Sequence, residues 1–211
     1  MLMLIIHMSI FVHIDPARTF CQEENFTDIV LRKRWSRTKA DTVGWSTTLS
    51  HNDPLYNQLA RAYWFMKRRA AFTKWKLEFY DGVSYTVRDG SESVHVRINV
   101  GDVVDIPEKR EGIAYARVAA FIRHQSDDDR HFAFVFFDWF TASTRSDATL
   151  DCPVYELQRA DDDFQQLYPL NYIDHSSRVH FVHACTSTCT LEQHDMRNRR
   201  YYRNDFFYRA V

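Results

Sequence analysis

The chain has 211 residues, of which 45% are hydrophobic and 15% aromatic, and its 27 Lys and Arg side chains nearly balance 28 Asp and Glu. A chain of this length can bury a substantial core, and this composition excludes low-complexity disorder and collagen-like or linker-dominated sequences. Its four cysteines do not indicate a disulfide scaffold at this length.

The near-neutral total charge hides an asymmetry along the chain. Residues 1–76 contain 12 basic and 6 acidic side chains, whereas residues 77–211 contain 15 and 22. This split predicts two physically different parts, the first of which can approach an anionic partner. The alternative is that the opposite charges hold the two parts together or simply keep both solvated.

Residues 1–53 are predicted to form an irregular N-terminal extension. Its first 14 residues are apolar, but they lack a basic start and are too short to span a bilayer, so no membrane segment is expected. They are interpreted as a buried strand or a misassigned start, with a signal peptide as the alternative. The default compartment is therefore intracellular and reducing.

A basic run lies in the second half of this extension, around Trp35. Such a run is typical of a nuclear localisation signal or a nucleic-acid contact, and a solvated connector is the alternative. The candidate nucleic-acid contacts are Arg32, Lys33, Arg34 and Arg37. The basic residues of segment 67–76 extend the same hypothesis.

A helix is predicted to begin at Asp53-Pro54, because Asp is a preferred N-cap and Pro is favoured at the first helical position. Apolar residues then recur at helical spacing, which predicts an amphipathic helix over 54–72 and a connector to residue 76.

From residue 77 onward the sequence predicts a mainly β domain, 77–211, built as a distorted β-barrel or sandwich with this helix packed against it. Asp81-Gly82 is expected to be a hairpin turn between strands 74–80 and 83–87. Strands 115–124 and 131–140 are expected to pair through a turn at 126–129. Further strands are expected at 94–100, 103–106, 152–157, 167–173, 178–184 and 201–210.

Several of these strands carry a recognisable pattern. The order 100–104 (VGDVV), 115–118 (YARV) and 136–140 (FFDWF) resembles the strand motifs of the bromo-adjacent homology (BAH) domain. Segments 154–157 (VYEL) and 201–208 (YYRNDFFY) are similar to the later strands of that family. The same region also resembles a β-domain found in fungal transposon-associated proteins.

The resemblance implies a nuclear, chromatin-associated binding module that is not an enzyme and needs no cofactor. Its partner would be a protein or a histone-tail peptide, with nucleic acid as a further partner of the basic segments. Some BAH domains hold methyl-lysine in an aromatic cage, whose positions fall on Tyr115, Trp139 and Phe140. These rings suit a quaternary ammonium, and the alternative is that they are ordinary core aromatics.

Two other constellations remain open. A metal-dependent nuclease or transposase-associated enzyme could use carboxylates around Asp138 and Glu156, together with Asp147 and Asp151. Zinc could be held by residues spaced H-x-C-x₃-C-x₄-H, although this spacing matches no standard finger. Those residues are His183, Cys185, Cys189 and His194.

Overall fold

The computed structural model describes residues 26–68, 76–89, 91–108, 112–147, 152–158, 165–173, 179–185, 189–190 and 198–204. The strands in these ranges are β1 (Phe26–Arg34), β2 (Leu77–Asp89), β3 (Glu92–Asn99), β4 (Val103–Glu108), β5 (Gly112–Gln125), β6 (His131–Ser146), β7 (Pro153–Leu157), β8 (Leu167–Pro169), β9 (Phe181–His183) and β10 (Arg200–Arg203). The helices are α1 (Arg37–Thr42), α2 (Pro54–Phe65) and a 3-10 turn at Leu170–Tyr172.

Antiparallel hydrogen bonding joins the strands in the order β1-β2-β5-β6-β7-β10-β9. Strand β3 pairs with β2, β4 with β5, and β8 with β6. Among the described residues, β1 and β9 stand at opposite ends of this order, so the sheet is not closed into a barrel. The predicted mainly β class is confirmed.

The chain divides into two compact units that are interleaved in sequence. Unit 1 comprises Met1–Asp102, Val118–Phe137 and Gln165–Tyr172, and unit 2 comprises Val103–Arg117, Asp138–Phe164 and Ile173–Val211. The predicted β domain 77–211 therefore contributes to both units, and unit 1 also takes in β1, α1 and α2.

The core of unit 1 lies between α2 and the sheet. The side chains of Leu59, Ala62 and Tyr63 on α2 are almost fully buried, so the predicted helix does pack against strands. The buried residues that complete this cluster are Ala40, Leu49, Leu77, Phe79, Ala120, Ile122, Phe132, Phe134, Phe136 and Leu167.

The prediction of an irregular extension over 1–53 is wrong for the residues of this range that the structure describes, 26–53. Strand β1 pairs with β2, and α1 begins after Ser36, whose hydroxyl accepts a hydrogen bond from the Lys39 amide. Residues 1–14, with the interpretation given to them, lie outside the described residues.

Helix α2 begins as predicted but ends earlier. The Asp53 carboxylate accepts a hydrogen bond from the Leu55 amide at 2.9 Å, and Pro54 follows it. The helix ends at Phe65 because Lys67 takes a left-handed conformation with φ 55°, and the amide of Arg68 bonds back to the Tyr63 carbonyl. This arrangement closes the helix C-terminus without a glycine, which the apolar periodicity did not indicate.

Asp81-Gly82 is not a turn, because β2 runs straight through it from Leu77 to Asp89. The Asp81 carboxylate instead accepts hydrogen bonds from the side chains of Trp35 and Lys39. The hairpin lies farther on, where Asp89 pairs with Glu92.

Strands β5 and β6 form the predicted hairpin. The turn is closed by hydrogen bonds from the Ser126 amide to the Arg130 carbonyl and from the Asp129 amide to Ser126. Asp129 has φ 62°, a conformation that Asp tolerates better than most residues. The alternating residues of β6 that face the unit 1 core are Phe132, Phe134 and Phe136.

Candidate functional site

An aromatic cluster forms the core of unit 2. The Phe140 ring stacks on Phe181 with ring centroids 4.4 Å apart, and the edge of Tyr201 meets it at 5.2 Å. Tyr115 packs against Tyr155 and Phe181 at 5.6 and 5.5 Å. We call Tyr115, Phe140, Tyr155, Phe181 and Tyr201 the aromatic cluster.

The structure brings together two of the three predicted cage residues. Tyr115 is partly buried and Phe140 is 7% exposed. Trp139 immediately precedes Phe140 on β6, so its side chain points to the opposite face of the strand. Its carbonyl accepts a hydrogen bond from the Gln158 amide. The three rings therefore do not surround one space.

The place that a ligand cation would take on Tyr115 is occupied by the chain itself. The guanidinium carbon of Arg203 lies 5.5 Å from the Tyr115 ring centroid, and its Nη1 donates a hydrogen bond to the Tyr115 hydroxyl at 2.5 Å. This geometry is that of a cation–π contact within the protein. Phe181 covers the Phe140 ring in the same way that a third cage wall or a ligand would.

Asp138 is held by an arginine of the neighbouring strand. Its Oδ2 lies 3.0 Å from Nη2 of Arg117, and both side chains are about one quarter exposed. Arg117 also donates a hydrogen bond to the Tyr201 hydroxyl at 3.3 Å. Asp138 is therefore charge-compensated and tied to the aromatic cluster, and it is not among the residues lining the cavity described next.

A polar pocket of about 240 Å³ lies on the other face of β7 and β10. Residues of β10 alternate, because Tyr201 and Arg203 face the aromatic cluster whereas Arg200 and Tyr202 face the pocket. The pairing of β6 with β7 shifts register between Ala142 and Ser146, and this irregularity lies beside the pocket. The lining residues are Ser143, Ser146, Asp147, Val154, Glu156, Arg200 and Tyr202.

The carboxylates of this polar pocket have different environments. Asp147 accepts a hydrogen bond from the Tyr202 hydroxyl at 2.8 Å, which raises the pKa of Tyr202 because the bond favours the protonated phenol. Glu156 and Arg200 are more loosely associated, with Arg200 Nε 3.8 Å from Glu156 Oε1 and both side chains more than half exposed. Two carboxylates against one guanidinium give the lining a formal net charge of −1.

The sequence indicated only the two carboxylates of this pocket. Asp147 and Glu156 were among the candidate carboxylates of the nuclease hypothesis, whereas Arg200, Tyr202 and the serines were not assigned to the same site. The two-residue periodicity of a strand over 200–203 (RYYR) is the signal that could have placed Arg200 and Tyr202 on one face.

The four predicted nucleic-acid contacts are not all exposed. Arg32 is 7% exposed and donates hydrogen bonds inside unit 1, so that candidate contact is wrong. Arg34 pairs with Glu78 at 2.8 Å. Lys33 is exposed, and Arg37 is 87% exposed with Asp41 only loosely associated at 3.9 Å.

Two of the possible zinc ligands are in contact. His183 Nδ1 lies 3.2 Å from the Cys185 sulfur, while His183 Nε2 lies 2.8 Å from the carbonyl of Asn198. His194 lies outside the described residues. In the part of the chain that the structure describes, no group of three or more His, Cys, Asp or Glu side chains could hold a metal ion.

Comparisons with protein-family models, curated proteins and solved structures found no match to this chain. Among the helices that the structure describes, none has the length and apolar character needed to cross a membrane.

Proposed function

We propose that this chain is a non-enzymatic protein-binding module of chromatin type, BAH-like and derived from a mobile element, that acts in the nucleus. Its ligand would be a lysine-bearing segment such as a histone tail. The fold that goes with this proposal is the distorted sandwich of that family. The observation that carries the proposal is the polar pocket of unit 2, which offers acceptors and negative charge in a space sized for one side chain.

The size of the polar pocket favours a single side chain over a small-molecule substrate. Sites for drug-sized ligands usually occupy about 300–1,000 Å³, and this one has about 240 Å³. A lysine ammonium has three donors and no acceptor. The carboxylates of Asp147 and Glu156 and the hydroxyls of Ser143 and Ser146 can accept from all three.

The same chemistry predicts which methylation state of lysine the pocket prefers. Trimethylation removes every donor from the ammonium, and a trimethylated lysine then depends on aromatic faces. Among the described residues that line the polar pocket, Tyr202 alone carries an aromatic ring. We therefore expect unmodified lysine to bind better than trimethyl-lysine, which differs from what the BAH resemblance implies for the aromatic cluster.

Peptide binding to the full chain tests this proposal. A lysine-containing histone-tail peptide is titrated against the wild type, Asp147→Asn and Glu156→Gln, with Glu92→Gln as the control because Glu92 is an exposed acid on β3. We expect each pocket variant to weaken binding about 10-fold, the loss of one charge-assisted bond, and Glu92→Gln to have no effect. Absence of binding, or equal affinity of all four proteins, would refute the proposal.

A metal-dependent nuclease is a second candidate, since Asp147 and Glu156 line the same pocket. Carboxylate pairs can hold Mg²⁺ through a few oxygens, but Asp138 is committed to Arg117. The test is cleavage of plasmid and single-stranded DNA with Mg²⁺ or Mn²⁺. Cleavage by the wild type that is lost in Asp147→Asn would establish this candidate in place of the binding module.

A further inference from the structure

Helix α2 presents an exposed tryptophan beside a group of partly exposed rings. Trp64 is 71% exposed. The next residue, Phe65, stacks on Tyr168 with centroids 5.1 Å apart and planes inclined by 9°. Tyr172 lies 5.2 Å from Phe65 and 5.3 Å from Tyr168. We call Trp64, Phe65, Tyr168 and Tyr172 the α2–β8 aromatic surface.

Trp64 is not one of the residues that form the core of unit 1. The apolar face of α2 is already formed by Leu59, Ala62 and Tyr63, which are 0–2% exposed. Trp64 is the most exposed of the large hydrophobic residues described. The Trp64 ring lies 5.7 Å from Phe65, which packs with two further partly exposed rings, and such a group beside an exposed tryptophan is typical of an interaction surface.

Positive charge flanks this surface. Arg61 is exposed one helical turn before Trp64, and Lys67 is exposed just after the helix end. Helix α2 contains no Asp or Glu, and segment 54–76 of the sequence contains six basic residues and no acidic one. The charge of the α2–β8 aromatic surface is therefore complementary to an anion.

Acidic residues do approach the unit 1 core from the β5–β6 turn. Asp127 and Asp128, with Arg130 and Arg68, act electrostatically on the buried Tyr63 hydroxyl. Asp128 is paired with Arg130, and Arg68 lies over the Phe132 ring at 5.0 Å. The charge of that turn is therefore mixed. Arg61 and Lys67 are the cations closest in sequence to Trp64.

From these contacts we propose that the α2–β8 aromatic surface binds single-stranded nucleic acid. Unpaired bases stack on exposed aromatic rings, and flanking Arg and Lys side chains contact the phosphates. An acidic peptide would satisfy Arg61 and Lys67 but would gain little from Trp64. Double-stranded DNA keeps its base faces covered, so only the phosphate contacts would remain.

Fluorescence anisotropy with a labelled oligodeoxythymidine measures this binding on the full chain. We expect Trp64→Ala to raise Kd about 10-fold and Trp64→Phe to restore most of the affinity, because any aromatic face stacks. Arg61→Gln should weaken binding and reduce the slope of log Kd against log salt by about 0.7, the loss of one phosphate contact. The matched controls are Arg88→Gln, an exposed arginine on β2 outside the candidate nucleic-acid contacts, and Ile113→Ala, an apolar residue of unit 2 that is 56% exposed.

The possible outcomes distinguish between the ligands that the α2–β8 aromatic surface could bind. Salt-dependent binding that is lost in Trp64→Ala and retained in both controls supports the proposal. No binding at low salt, equal affinity for duplex DNA, or unchanged affinity in Trp64→Ala overturns it. Equal binding of polyglutamate, with the same sensitivity to Trp64→Ala, would assign the surface to an acidic peptide and would also overturn it.

Discussion

Replacing Arg32 by Met should destabilise unit 1, because this arginine is a buried structural residue. Its Nη2 donates hydrogen bonds to the carbonyls of Val83 at 3.0 Å and Ile98 at 3.3 Å, and to the side chain of Asn99 at 3.3 Å. Burial lowers the pKa of Arg32, which means that the charged form is partly desolvated in the folded state.

The expected loss follows from those bonds. A hydrogen bond to a charged group contributes about 1.5–3 kcal/mol. The three acceptors share one nitrogen and two of the distances are long, and desolvation offsets part of the gain. We therefore expect Arg32→Met to lower the free energy of unfolding by about 2 kcal/mol, which for a chain of this size corresponds to roughly 4–8 °C in Tm.

Gly82 gives an independent check of the same contact. A Cβ at this position would lie 3.0 Å from Arg32 Nη2 and 3.3 Å from the Ile98 carbonyl. Glycine in a strand often marks such a close approach. We expect Gly82→Ala to be destabilising, and less so when Arg32 is already Met, because the closest neighbour is then removed.

Urea unfolding of the four proteins of this double-mutant cycle measures both effects, with Arg37→Ala as the control from the same basic run. Arg37 is 87% exposed, so its replacement should change stability by less than about 0.5 kcal/mol. If Arg32→Met behaved like this control, or if the two substitutions were additive, the structural role given to Arg32 would be refuted.

Two further predictions concern helix α2 and the buried tyrosines. Asp53→Ala removes the N-cap bond to the Leu55 amide and should cost about 1 kcal/mol in thermal or urea unfolding, whereas Asp53→Asn should cost less; equal losses would contradict the capping role. Burial raises the pKa of Tyr80 to about 12 and raises those of Tyr63 and Tyr85 as well, so the folded state holds these phenols protonated. Their contribution to stability is complete below about pH 10 and decreases as pH rises above it, with that of Tyr80 lost as pH rises through about 12; phenolate absorbance that reached its full value with near-ultraviolet circular dichroism unchanged would contradict this.

The local sequence correctly predicted those elements for which several sequence signals point to the same structure. The β5–β6 hairpin has a turn rich in Ser and Asp between two strongly apolar runs, and the structure places it where it was expected. The start of α2 likewise combines an N-cap and a proline at adjacent positions. In such segments no long-range contact has to be known in advance.

Long-range contacts explain the elements that were missed. Strand β1 contains several charged residues and looks like a solvated connector, but Arg32 and Leu31 are buried against β2. Asp81-Gly82 has the composition of a turn. In the structure, however, the absence of a side chain at Gly82 leaves space for the Arg32 guanidinium, and the Asp81 carboxylate accepts a hydrogen bond from the Trp35 indole. Neither partner can be inferred from the residues next to it in the sequence.

The cage hypothesis did not anticipate residues of two distant strands. Tyr115 and Phe140 do belong to one cluster, but Phe181 from β9 packs on both rings and Arg203 from β10 lies over Tyr115. An aromatic pair on neighbouring strands can be predicted from spacing, whereas the residues that fill the space between them depend on the pairing of strands some 40 or more positions away.

The aromatic cluster and the polar pocket depend on the same register. Tyr201 pairs with Tyr155 between β10 and β7, and on either side of this pair Arg200 lies opposite Glu156 and Tyr202 opposite Val154. Because side chains alternate, a slip of one residue would bring Arg200 and Tyr202 into the core and turn Tyr201 outward. Burial of Tyr201 and Tyr155, which are 9% and 8% exposed, therefore also fixes the positions of the charged groups on the opposite face. The apolar side of these two strands therefore holds the polar side in one arrangement, and the proposed lysine-binding pocket depends on the core of unit 2 for the rigidity that such a site needs.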